Sequence, residues 1–179
     1  MKKWSIDPSH TGLEFAVRHL GISTVRGRFK KLGGTIDTAE DGTLKSVQVT
    51  VDPASIDTGD PKRDEHLRSA DFFDVERYPE MTFQSTAVRS QGNGRYAVSG
   101  DLHIHGQTRP LTFEVDTTSP VTDPWGNLRA AASGTGKINR KDWGLTWNQT
   151  LEFGALLVGE DVKFTLEVEA VAATPALAR

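Results

Sequence analysis

Apolar side chains recur at every second position along most of this chain, and a period of two predicts a half-buried β-strand wherever it holds. Leu13, Phe15 and Val17 alternate with Glu14, Ala16 and Arg18. Val25, Gly27 and Phe29 then share one parity and Leu32, Gly34 and Ile36 the other, so a β-bulge is expected at Lys30-Lys31. The alternation returns at Val47 to Val51, at Met81 to Arg89, at Tyr96 to Ile104 and at Leu111 to Val115, and it closes with Val162 to Ala170. Turn residues separate these runs, notably Asp41-Gly42 and Gln91-Gly92-Asn93-Gly94, and Gly106-Gln107 is read as another turn. Eight sizeable strands with hairpin-length connections predict an all-β fold, an eight-stranded antiparallel barrel. Stacked sheets are the alternative, because strand count does not separate them from a closed sheet.

One stretch breaks the period. Asp60 before Pro61 is a helix start, and Leu67, Ala70 and Phe73 fall at helical spacing with Phe72 beside them, until Tyr78-Pro79 ends the run. This short helical insertion near residues 61–78 reads as a lid between two strands. Asp64 and Arg68 are spaced to pair at i,i+4, and Arg63 or Arg68 is expected to pair with Asp71.

The 179 residues fit one domain, taken as residues 1–171, with the Ala/Pro-rich 172–179 as a flexible tail. The absence of cysteine excludes thiol catalysis, disulfides and thiolate metal sites. A net charge of −3 with interspersed signs carries no footprint for nucleic acid. The lysines at the amino terminus have no apolar run behind them, so a cytoplasmic location is expected. No stretch approaches the roughly twenty apolar residues of a membrane span, which leaves only peripheral membrane contact.

Small residues stand where a filled barrel would carry large ones. Gly27, Gly34, Gly100, Ala130, Ala132, Gly134 and Gly136 lie on the apolar parity. Either a guest occupies the space they leave, or they mark bulges and bends, or bulky neighbours fill the gap. With a guest, the walls are Phe15, Val49, Phe83, Val98, Phe113 and Phe164, together with the small Ala132 and Gly134. Phe72, Phe73, Trp143 and Trp147 are then either gates at a mouth or ordinary core. Tilted ten-residue strands make a barrel about 25 Å long, which suits a linear apolar guest.

Several blocks carry a resemblance: Trp4, Asp7-Pro8-Ser9-His10-Thr11, Phe15, Val17-Arg18-His19, Val25-Arg26-Gly27, Arg63 to Pro79, and Ile138-Asn139-Arg140-Lys141-Asp142-Trp143. With them the chain resembles the YceI-like polyisoprenoid-binding family over nearly its whole length. The resemblance implies an extended lipocalin-like barrel of eight antiparallel strands that holds an isoprenoid chain in its pore.

Polar residues in those blocks invite a catalytic reading. His10, Arg63, His66, Arg68 and Asp142 lack a nucleophile in a recognisable context, so they are read as structural hydrogen-bonding groups that tie lid to barrel. His103 and His105 share the polar strand face and are read as solvated rather than metal-binding. Arg26, Arg28 and Lys30 form a basic stripe that faces either water or anionic lipid. The expectation is therefore a non-enzymatic carrier of a polyprenyl chain, quinone or prenyl phosphate for storage or transport. It has no catalytic or metal residues and no cofactor beyond the lipid. Its partners are the isoprenoid and, peripherally, an anionic membrane, with a homodimer kept open. Two alternatives stand against it: an enzyme acting on the head group of a prenyl compound, and a filled barrel acting only through partners.

Overall fold

The computed structural model describes residues 1–173. In chain order the elements are β1 (Lys2–Ile6), β2 (Gly12–His19), β3 (Ser23–Phe29), β4 (Leu32–Thr38), β5 (Leu44–Val51), β6 (Ile56–Asp57), α1 (Pro61–Arg68), β7 (Met81–Gly92), β8 (Arg95–Ile104), β9 (Gln107–Thr117), β10 (Val121–Thr122), β11 (Leu128–Asn139) and β12 (Val158–Ala172). Every pairing is antiparallel, and β11 bonds both β9 and β12, which closes the ring. The result is an eight-stranded antiparallel barrel with one short helix. Closure, which strand count left open, removes every long free edge.

Three of the staves are interrupted strands. β12 pairs β1 through Ala172 to Ala170 and β2 through Glu167 to Val158, so β1 and β2 are successive halves of one stave. Opposite them β3 runs into β4 and β5 into β6. The break between Phe29 and Leu32 lies at Lys30-Lys31, where the parity changes hands: the chain leaves one strand and starts another there instead of forming the expected β-bulge. Two of the three breaks hold a 3-10 turn opened by Asp-Pro, at Asp7-Pro8 and at Asp52-Pro53, in which the aspartate caps the second residue beyond it.

The hairpin turns define two ends. The lid end carries the β2–β3 turn, α1, the β8–β9 turn and residues 140–157; the base end carries both ends of the described chain and the β4–β5, β7–β8 and β9–β11 connections. The β8–β9 turn is His105-Gly106, with φ of 52° and 73°, not Gly106-Gln107; β8 ends at Ile104, so His105 has left the strand face it was expected to share with His103. β12 extends through Ala172, and Ala173 N–H donates to Lys3 O, so the stave continues past the expected start of the tail. The rest of that tail, residues 174–179, lies outside the described residues.

In the base half the side chains meet across the axis. Trp4, Ile6, Leu44, Tyr96, Val98, Val115, Val168 and Ala170 are all buried, and Val98 is 0% exposed. Trp4 Nε1 donates to Thr38 Oγ1 at 3.0 Å, which satisfies the indole in that core. Toward the lid end the same inward parity opens out. On β12 Val168 and Ala170 are buried, whereas Val162, Phe164 and Leu166 are only half-buried.

Candidate functional site

The lid half holds a cavity of about 190 Å³. Its walls are hydrocarbon from Leu13, Phe15 and Val17 round through Val49, Val51, Phe83, Leu111, Phe113, Val162 and Phe164, roofed by Leu67, Phe72, Phe73 and Leu145. Among the described residues, Thr82 and Arg140 are the only polar residues that border it, and neither presents a polar atom to the space. From Val158 to Leu166 the cavity follows nine residues of strand, about 20 Å once barrel tilt is allowed for.

Four of the five inward glycines turn out to be seats for aromatic rings, while Gly34 lies against the backbone of Gln48 and Val49. A Cβ on Gly27 would strike the Phe15 ring, on Gly100 the Phe83 ring, on Gly134 the Phe113 ring and on Gly136 the Phe164 ring. Each phenylalanine leans sideways onto a neighbouring strand instead of reaching across the lumen. The rings cover backbone that glycine leaves bare and so offset its cost in a strand. They also stay off the barrel axis. Phe83, Phe113 and Phe164 continue edge to face with centroids 5.3 and 5.6 Å apart, and Phe15, Phe29 and Phe73 continue at 5.6 and 5.7 Å.

Of the wall residues expected from sequence, Phe15, Val49, Phe72, Phe73, Phe83, Phe113 and Phe164 border this cavity. Val98 does not; it lies in the filled base core. Ala132 and Gly134 are also off the wall, Gly134 because the Phe113 ring covers it. Trp143 is buried beside the cavity rather than at a mouth, and its Nε1 donates to Leu102 O at 3.0 Å. Parity places a side chain in or out, but not at which height the lumen begins.

Two segments roof the cavity. Asp60 caps α1 by accepting from Lys62 N at 3.0 Å and Arg63 N at 3.3 Å. The helix stops at Arg68, so Phe72 and Phe73 reach the cavity from turns rather than from a helical face, and Ala70 is exposed. Asp64 does not pair with Arg68. It accepts from Thr58 N–H and Oγ1 at 2.8 and 2.6 Å, while Arg63 donates to Thr58 Oγ1 and O at 2.8 and 2.9 Å. Asp71 is held by His66 Nε2 at 2.8 Å instead of by either arginine. The second segment meets the first where the Trp147 ring packs on His66 and Phe72, at 4.7 and 5.3 Å.

Arg140 was quoted above only within a motif, yet parity carried on from the inward Ile138 would have pointed it inward. It is 4% exposed and donates to the carbonyls of Leu145, Trp147, Val158 and Gly159 at 2.6 to 3.4 Å. One guanidinium thus closes the loop of residues 140–157. Burial lowers its pKa from the ordinary arginine value, and nearby Glu160 opposes that shift.

The remaining polar candidates fall into separate places. His10 Nδ1 bonds Asp7 Oδ2 at 3.0 Å on the outer wall, far along the chain from His66 under the lid. Asp7, His10 and Glu169 could bracket a cation, but Arg129 Nη1 already bonds Asp7 Oδ2 and Glu169 Oε1 at 2.8 and 2.6 Å, and its Nε bonds Asp123 Oδ2 at 2.7 Å. That guanidinium holds the Asp7 and Asp123 carboxyls well below the usual range. His103 bonds Thr108 Oγ1, and His105 Nδ1 lies 3.3 Å from Trp143 O, so the two imidazoles share no ligand position.

A closed antiparallel barrel of eight strands with an apolar, lidded half-lumen has room for one small guest beside its own side chains. Comparison makes the class specific: residues 4–170 match the YceI-like domain, and this chain belongs to that family. A UPF0312 protein of Vibrio cholerae is 42% identical over 139 residues, covering 76% of this chain and 73% of that protein. A Campylobacter jejuni YCEI protein of known structure is 30% identical, with a TM-score of 0.75 over 88% of this chain and 90% of its own. A polyisoprenoid binding domain from Saccharophagus degradans shares the fold at 20% identity, with a TM-score of 0.68 over 95% of this chain and 98% of its own.

Proposed function

We propose that this protein holds the hydrocarbon tail of an isoprenoid lipid in its lid half and carries it without chemical change, for storage or transport. The observation that supports this reading is the wall composition: some twenty apolar side chains surround the space, and the two polar residues at its border, Thr82 and Arg140, present no polar atom to it, the guanidinium being bonded to carbonyls. Each methylene moved from water onto such a wall is worth about 0.8 kcal/mol, so affinity accumulates along a tail without polar contacts. Family membership and the polyisoprenoid-binding neighbour favour a branched isoprenoid over a straight acyl chain. An enzyme of the head group would need His10, His66 and Arg68 to converge, and His10 and His66 belong to different clusters.

Mass spectrometry of a solvent extract from purified, denatured protein tests the proposal. Expected is a stoichiometric prenyl compound, returned unmodified when the emptied protein is reloaded with it. An extract without lipid and no uptake on reloading, or a converted head group after incubation, would overturn it.

A further inference from the structure

The outer face of the barrel at the lid end carries a cross-strand arrangement that folding alone does not favour. In register across four strands stand Lys137 on β11, Lys163 on β12, Ala16 on β2 and Arg26 on β3. Like charges directly opposite one another, as Lys137 and Lys163 are, destabilise a sheet. Lys137 is relieved by Asp161 at 3.3 Å, whereas Lys163 and Arg26 have no ion-pair partner among the described residues. The small Ala16 between them leaves a groove of about 500 Å³, bordered also by Arg18, so four cations face two carboxylates there. The stripe expected from sequence is thereby redrawn: Arg28 and Lys30 share the one carboxylate of Asp57 at 3.5 and 3.0 Å, and Arg26 keeps company with the lysines of other strands.

This basic groove runs into an apolar tip. Arg18 donates to Gly21 O at 2.9 Å, within the β2–β3 turn, where Leu20 is 36% and Ile22 79% exposed. Leu20 sits at φ 55°, an uncomfortable place for a branched apolar residue that a turn usually gives to Asn or Gly. Its N–H donates to Leu157 O at 2.9 Å, which anchors the tip to a loop whose Leu156 is 40% exposed. The base of the barrel is packed, so any guest passes through this lid end.

We propose that the β2–β3 tip and the groove of Arg18, Arg26 and Lys163 form a docking surface for an anionic membrane, with Leu20 and Ile22 entering the acyl boundary and the cations meeting lipid phosphates. The surface deepens the carrier reading above by naming where its guest is exchanged, and it rests on that reading for its purpose but not for its test. Apolar insertion and attraction to anionic lipid act together at an interface, and each basic side chain near it changes affinity about fivefold.

Sedimentation with vesicles tests the surface without any guest. Expected is binding to phosphatidylcholine vesicles that contain about a quarter phosphatidylglycerol, weakened by salt, and little to phosphatidylcholine alone. Arg26→Gln with Lys163→Gln should lower that binding roughly 25-fold, and Ile22→Ser should lower it with the charges intact. All three positions are exposed, or half-exposed on the outer wall, and circular dichroism confirms that each variant is folded. Trp125→Ser, at the base end, serves as the control and should leave binding unchanged. Equal binding to both vesicles, unaltered binding by the variants, or loss through Trp125→Ser would overturn the surface. Vesicle binding together with an empty solvent extract and no uptake on reloading would instead remove the carrier reading and leave the surface standing.

Discussion

The two halves of one barrel are built from the same strands with the same alternation, yet one half is solid and the other hollow. β12 passes through both: Val168 and Ala170 are buried among Trp4, Ile6 and Val115, while Val162, Phe164 and Leu166 are half-buried around open space. What differs is how the large side chains lean. At the base, Trp4 reaches inward and is fixed by its bond to Thr38, whereas at the lid end four phenylalanines lie down on four glycines. A lumen of this width is kept open by giving each bulky ring a seat on the wall, not by removing bulk.

The harshest way to probe that difference is Trp4→Ala. It should cost about 3–5 kcal/mol by chemical denaturation, as truncation of a packed indole does, with the guest load per folded molecule unchanged. A loss below 1 kcal/mol would mean the base is not the packed half. Next in size is Gly136→Ala, whose Cβ would come 2.5 Å from Phe164 Cζ and push the ring into the lumen. The expected stability cost is about 1–3 kcal/mol, and the expected functional effect is loss of most of the extractable lipid. Undiminished loading would show that the rings do not set the bore. Leu13→Ala, on the half-buried wall, should cost only about 1 kcal/mol, because little packing is lost where packing is incomplete. A cost as large as that of Trp4→Ala would erase the distinction between the halves.

The smallest effect at neutral pH is expected from Arg129→Met on the outer wall of the base. Asp7 and Asp123 have depressed pKa values in the folded protein, so the unfolded chain binds more protons in acid and stability is lost as pH falls below about 4. Without the guanidinium both carboxyls return toward ordinary values, and the acid slope should flatten. Denaturation curves between neutral pH and pH 3 measure it, and an unchanged slope would assign the acid loss to other groups.

The chain's own alternation determined the strands, the change of parity at Lys30-Lys31 and most of the wall, since a period of two assigns each residue to a face from local order alone, and the Asp60-Pro61 pair marked the start of the helix by its capping chemistry. Five of the expected wall residues, Phe15 and Phe164 among them, reach the cavity for that reason. Closure, the height at which the lumen begins, and the identity of the ion partners came only with the tertiary structure. Val98 sits on the correct face but at the wrong level, Asp71 is taken by His66 rather than an arginine, and Arg26 meets Lys163 across Ala16. The Asp71 partner depends on how the turn after α1 folds back on the helix, and the other two depend on the stagger between strands distant in sequence, which is set by the pairing of whole strands around the ring rather than by any residue's neighbours along the chain.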